Sequence, residues 1–475
     1  MNRLIFKTAL IIIVSLAMVA CEKKKESSIT GPGDDGTDEY SLYVQELDQL
    51  IHPLDGASPE LNHDDLQPLS YLSNSRMVGL GEATHGTKEF FQLKHRIFRF
   101  LVENYNFKIF GFECDQGESI YIDRYICTGE GNIDELMRNI MHFWTWKTEE
   151  VKALFEWMKT FNAGKSEAEK IHFVGFDCQF MTYQPDLLLD YFRQVKPKFI
   201  EEINPTLNLI KVMDNSSPAS VRDYYSSMNE NQKQAISDSL RKMLTKVNNI
   251  ESELVSKSSH FEYQYMRQLI RNMQQANDIL YGMMHNDNTN YRDKYMAENA
   301  VWLSTLLGEN TKIALWAHNG HVAKNLYYGG NASMGYYIKA ELDHQYQIVG
   351  FSFSKGAFNA VTQTAPETYK GLNRQTININ PPKGSINHLF SKAKYDNFIF
   401  KITDIPPDSE LEKWISTKRT FLTIGAAFNN EPEDYYMKVY LKNYFDVVIH
   451  YDRTSASVLF NQTFLKGAFN DKVSL

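Results

Sequence analysis

Met77-Val78-Gly79-Leu80-Gly81-Glu82-Ala83-Thr84-His85-Gly86 is an apolar run that passes directly into a glycine-bounded polar loop. The run is too short for a helix and reads as a buried strand. A strand with no polar alternation belongs in a parallel sheet covered on both faces. The two glycines of the loop permit a sharp turn and a close backbone approach. A helix follows, because Phe90, Leu93, Ile97, Phe98 and Leu101 recur on one face at spacings of three and four.

The same grammar repeats along the chain. Lys108–Phe112 runs into Glu113-Cys114-Asp115, Ile171–Phe176 into Asp177-Cys178-Gln179, and Lys312–Ala317 into His318-Asn319-Gly320-His321. Gln347–Phe353 and Val447–His450 read as two further strands, and Glu149–Phe161 as an amphipathic helix through Val151, Leu154, Phe155 and Met158. Strands alternating with helices predict an α/β fold with a mainly parallel central sheet flanked by helices. Residues 218–307 differ, being rich in Gln, Asn, Lys and Glu with few strand signals. They predict a large helical insertion packed beside the sheet or over its edge as a lid. The stretch Asn373–Asp408, rich in Asn, Pro and Lys, is expected to be irregular.

Four strands thus each deliver a titratable residue at the carboxyl end, the edge where open α/β sheets bind ligands. Glu82, His85, Glu113, His318 and His321 form the candidate catalytic set. The helix after the Gly81–Gly86 turn would place its amino-terminal amides beside His85, where a developing oxyanion is favoured. Taken alone, that turn also suits a simple strand–helix junction bearing a surface histidine. The pair His318/His321 suits metal binding, carbonyl polarisation or structural pairing with carboxylates. HExxH and zinc-type Cys/His spacings are absent, as are GxSxG, the P-loop and the dinucleotide fingerprint. Ser352 lies inside an apolar strand and reads as a sheet serine. Trp144, Trp146, Trp157 and Trp302 read as core or pocket-wall aromatics. Asp177 either binds a histidine or caps the next helix. Arg292, Asp293 and Glu298 either face the site from a helix or form a solvated face.

The amino terminus suggests a destination. Arg3 and Lys7 precede an apolar run, Ala9–Ala20, that is too short to span a bilayer and has the size of a signal-peptide core. Met18-Val19-Ala20-Cys21 resembles a bacterial lipobox, which makes residues 1–20 a lipoprotein signal peptide and Cys21 the lipidated residue. Residues 21–40 are rich in Lys, Ser, Gly, Asp and Glu and read as a flexible tether. Residues 41–475 are expected to form one α/β domain that carries the candidate catalytic set. The expected place is the bacterial cell envelope, periplasm or outer membrane, with the membrane reached through the lipid. A net charge of −8 argues against nucleic-acid binding. Cys114, Cys127 and Cys178 show no paired metal spacing and read as free thiols.

Read together, the motifs resemble the erythromycin esterase family. They are VGLGEATHG (Val78–Gly86), FGFECD (Phe110–Asp115), FWTWKTEE (Phe143–Glu150), VGFDCQ (Val174–Gln179), RDKYMAENAVWL (Arg292–Leu303), WAHNGHV (Trp316–Val322) and FDVVIHYDRT (Phe445–Thr454). The resemblance implies hydrolysis of a macrolactone-type ester, a macrolide-like small molecule, by activated water without metal or other cofactor. It implies His85 as general base with Glu82 beside it, Glu113 as its orienting or polarising carboxylate, and His318 and His321 as carbonyl polarisers. The family often carries an arginine in the helix after GEATHG. Here Lys94 stands at that place, with Arg96 two residues on. These two, with Asp177, Trp146 and Arg292, are the expected substrate-binding residues. Two other readings stay open: a metal-dependent hydrolase using the same cluster, and a non-catalytic envelope lipoprotein that binds a glycan or small molecule.

Overall fold

The computed structural model describes residues 39–213, 218–285, 287, 290–325, 331–365 and 368–460. The expected signal peptide and lipidation site lie outside these residues, as does the tether except for its last two positions, which open the helix Glu39–Leu50.

Twelve strands are present among the described residues: β1 Ile51–Pro53, β2 Met77–Leu80, β3 Phe107–Asp115, β4 His172–Asp177, β5 Lys312–Trp316, β6 Tyr346–Ala365, β7 Thr368–Ile377, β8 Asn397–Lys401, β9 Arg419–Leu422, β10 Ala427–Phe428, β11 Tyr436–Val439 and β12 Val447–Thr454. The main sheet runs β1-β8-β12-β6-β2-β5-β3-β4, with β7 and β10 added to the far half of β6. From β12 to β4 every pairing is parallel. The pairings of β8 and β1 at the other edge are antiparallel. Neighbouring residues of a strand face opposite sides. Met77, Ile313 and Ile348 enter one apolar layer, and Val78, Ala314 and Val349 enter the other. This two-sided burial is why the central strands read as unbroken apolar runs.

The predicted helices are found with slightly wider limits, as Lys88–Tyr105 and Glu149–Asn162. Residues 218–307 are helical: Pro218–Ser227, Glu230–Asn249, Glu251–Lys257, His260–Met284 and Tyr291–Leu306. The last of these packs against the sheet itself, and Asn299 donates to the carbonyl of Phe176 at 2.9 Å. The stretch Asn373–Asp408 is not irregular throughout. It holds the end of β7, the helix Ile386–Phe390 and β8, whose Phe398, Ile399 and Phe400 are fully buried. Asn, Pro and Lys on its turns mask this short apolar core. Ser352 is a buried sheet residue bonded to His450 at 3.1 Å.

Candidate active site

Sheet order brings the candidates together. β5 lies between β2 and β3, and Leu80, Trp316 and Phe112 stand in register across the three strands. The residues that follow therefore leave the sheet side by side. The Asn319 amide donates to the Glu82 carbonyl at 2.8 Å, welding the two loops. β3 carries a bulge between Phe112 and Asp115 in its pairing with β4, and Glu113 sits in it. Bulges re-aim side chains of this kind. This one needs Gly175 opposite, since a Cβ there would overlap the backbone of Cys114 and Asp115. Gly86 is under the same constraint from the backbone of Asn359.

Two linked networks result. In the first, His85 Nδ1 meets Glu82 Oε1 at 2.7 Å. Glu82 is fully buried, and its Oε2 accepts from Lys94 Nζ and from the Trp316 indole, both at 2.7 Å. Glu82 therefore fixes the proton of His85 on Nδ1 and leaves Nε2 as the basic nitrogen. Burial pulls the Lys94 ammonium down to about 8 against the opposing pull of Glu82. The Thr145 hydroxyl holds the His85 carbonyl at 2.7 Å. His85 keeps 14% of its side chain exposed, so it meets solvent while its partners do not.

In the second network, Arg292 reaches from the start of the helix Tyr291–Leu306. Its Nη2 donates to Glu113 Oε1 at 2.7 Å and to Asp177 Oδ2 at 2.8 Å, and its Nε donates to Asp177 Oδ1 at 3.1 Å. Glu113 Oε2 accepts from the His318 amide at 3.0 Å. His321 lies between two carboxylates, with Nδ1 2.7 Å from Asp293 Oδ1 and Nε2 3.3 Å from Glu113 Oε1. Burial works against charge on this ring, but Asp293 and Glu113 outweigh it and raise its pKa. Burial would likewise raise Glu113, yet His321, Arg292 and His85 together hold it far below the usual carboxylate range.

His318 is of another kind. Its Nδ1 accepts from the Gly320 amide at 3.2 Å, and its Nε2 lies 3.2 Å from the Ile424 carbonyl. Burial, reinforced by His85 and His321, drives its pKa well down. The ring is neutral and packs 5.1 Å from that of His85.

The expected substrate-binding set is only partly assembled here. Arg292 and Asp177 belong to the cluster. Lys94 is fully buried behind Glu82, so it positions that carboxylate and does not face a substrate. Arg96 turns away, to the Gly56 carbonyl at 3.0 Å and Asp65 at 2.9 Å, because two residues along a helix carry a side chain to the opposite face. Trp146 is core, packed between Phe112 and Trp316. At the helix after Gly86, the Lys88 amide is spent on the Ser455 carbonyl at 2.9 Å. Within the RDKYMAEN run, Arg292 and Asp293 face the site, while Glu298 pairs outward with Arg271 at 2.6 Å. Asp293, which the sequence leaves open, orients His321. The Trp316 indole and the Thr145 hydroxyl have no signal in one sequence, since both act across the sheet edge on residues remote in the chain.

Among known proteins, the chain is 26% identical to erythromycin esterase type II of Escherichia coli over 416 residues, covering 84% of this chain and 94% of that one. Of solved structures, a succinoglycan biosynthesis protein superposes with a TM-score of 0.76 at 25% identity, covering 90% of this chain and 100% of the other. A mutant erythromycin esterase in its open conformation superposes with a TM-score of 0.64 at 16% identity, covering 84% and 96%. That likeness shows the fold. The model of the erythromycin esterase family matches residues 102–454, most of the chain, and the chain belongs to that family.

Proposed function

We propose that this chain hydrolyses a carboxylic ester of the macrolactone type, with His85 as the base that activates water. The family and its relatives point to a hydrolase. The observation that carries the finer reading is the pairing of solvent-facing His85 with the buried Glu82, itself backed by Lys94 and Trp316. A carboxylate on one ring nitrogen holds the imidazole and stabilises the imidazolium it becomes, as in other acid–histidine pairs. Nε2 takes a proton from water and the hydroxide attacks the ester carbonyl. Arg292, with His321 held beside it by Asp293, supplies positive charge for the oxyanion. One such donor is worth roughly 3–4 kcal/mol of barrier. His85 then returns its proton to the leaving alcohol. His318 supports this by packing on His85 and carrying the Glu113 bond on its amide, a smaller part than the polariser expected from sequence.

The cluster favours a reaction without metal for a reason of charge. Glu113, the carboxylate a cation would use, is bonded to the Arg292 guanidinium. A cation bound there would sit beside a fixed positive group. Among the described residues, the donors close enough to share one ion are those of Asp123, Cys127 and His172, outside this cluster.

The succinoglycan biosynthesis relative favours a second reading, an ester carried on an envelope glycan in place of a macrolactone. Incubating macrolides and acylated glycans in parallel with the protein and with His85→Ala separates the two. Loss of ester cleavage in a folded His85→Ala protein is expected, and undiminished cleavage contradicts the scheme. We further propose anchoring in the cell envelope through a lipid on Cys21. Labelling with a radioactive fatty acid that persists in Cys21→Ser argues against it.

A further inference from the structure

A second constellation lies at the opposite edge of the sheet. His172 opens β4, whereas Asp177 closes it beside Arg292. At about 3.3 Å per residue the two ends are roughly 16 Å apart. Asp123 and Cys127 stand one turn apart on the helix Gln116–Thr128 and meet His172 there. His172 Nδ1 lies 3.0 Å from Asp123 Oδ2 and 3.5 Å from Cys127 Sγ, and Cys127 Sγ lies 3.7 Å from Asp123 Oδ1. Asp123 Oδ1 also accepts the Phe173 amide at 2.9 Å, which fixes the carboxylate. Asp123 and His172 line a cavity of about 620 Å³ walled by Ile120, Phe261, Tyr265 and Met266.

The arrangement differs from a nucleophilic triad. In a triad the acid and the nucleophile use different nitrogens of the histidine. Here the thiol and the carboxylate converge on the same one, and the thiol faces the carboxylate as well. Donor atoms from all three side chains lie close enough together to share one cation. A tetrahedral zinc, bonded at about 2.3 Å to sulfur and about 2.0 Å to nitrogen and oxygen, holds such donors roughly 3.3–3.5 Å apart. The imidazole–thiol separation of 3.5 Å matches this, the imidazole–carboxylate separation of 3.0 Å is a little short, and one donor from each of the three residues lies within 4.8 Å of the others.

We propose that Asp123, Cys127 and His172 form a binding site for a thiophilic divalent transition metal of the zinc class. The thiol and imidazole select against calcium and magnesium, which take oxygen. Cys127 gives up its proton to solvent as the metal–sulfur bond forms. Three protein ligands leave a fourth position, toward the cavity, for water or a small molecule. The site is independent of the ester chemistry.

The test is titration of the purified, reduced protein with Co²⁺, which reports thiolate ligation by a charge-transfer band. One equivalent is expected to saturate the band. Cys127→Ser and His172→Ala are expected to abolish it, and Zn²⁺ to displace it. His85→Ala and His321→Ala are expected to leave it unchanged, which separates this site from the catalytic cluster. If a variant does not fold, alkylation of Cys127 in the unaltered protein, read by mass spectrometry, decides: one equivalent of Zn²⁺ is expected to protect the thiol. No band, a band that survives in Cys127→Ser, or no protection overturns the proposal.

Discussion

Lys94→Met isolates the contact on which the orientation of His85 depends. Lys94 and Glu82 are both fully buried, and their 2.7 Å bond is shielded from solvent. Removing one partner of such a pair strands a charge and costs about 3–5 kcal/mol. Methionine nearly matches the lysine stem in volume, so little of that loss comes from a cavity. The amine also lies 4.5 Å over the Trp316 ring, a smaller contribution lost with it. The double variant Lys94→Met/Glu82→Gln removes both charges and keeps an acceptor for the indole. It is expected to recover about 1–3 kcal/mol relative to the sum of the single changes. The assay is urea unfolding of the four proteins, followed by fluorescence and circular dichroism. A single-variant loss below about 1 kcal/mol, or strict additivity in the double variant, refutes the argument that this ion pair holds the catalytic carboxylate.

Other expectations follow from the same geometry. Because burial brings Lys94 to about 8, kcat/KM is expected to fall as pH rises through that value and Glu82 loses its counter-charge. Lys94→Arg, whose guanidinium stays charged, is expected to remove this limb, and a limb that persists assigns it to another group. Asp293→Asn takes away the charge that orients His321 and raises its pKa, and is expected to lower kcat by about 10²–10³. His321 has a raised folded pKa, so its contribution to stability is complete below about pH 6.5 and fades as pH rises through the folded value. The stability penalty of Asp293→Asn is therefore expected to be larger at acid than at alkaline pH, and unfolding curves at both ends check this. Gly86→Ala forces a Cβ onto the Asn359 backbone and is expected to cost at least 1–3 kcal/mol, approximately, with parallel loss of activity; a wild-type melting temperature contradicts it.

What could be read from the chain alone was whatever burial on both faces writes into it. β2 has the expected limits, and β3, β4, β5 and β12 differ at their ends. The residues at their carboxyl ends, Glu82, His85, Glu113, Asp177, His318 and His321, do gather at one edge of the sheet. Strand order was not legible, because the insertion of β5 between β2 and β3 is a long-range pairing. The short strands β1, β8, β9, β10 and β11 carry too few residues for a period, and β7 is half-exposed along its length. Side-chain direction limited the binding set. Lys94 and Arg96 look equivalent as basic residues near the motif, yet the helical turn sends one to Glu82 and the other to Asp65. Trp146 has the composition of a pocket wall and the position of a core residue. Asp293 stood beside Arg292 in the sequence, but its role depends on His321, 28 residues away.

The most direct test is product analysis by mass spectrometry of a panel of macrolides and acylated glycans incubated with the purified protein, with and without chelator, beside a folded His85→Ala protein. A product one water heavier than a macrolactone substrate is expected, formed equally with chelator and lost in His85→Ala. Turnover that survives in His85→Ala, or that chelator abolishes while the protein stays folded, contradicts it.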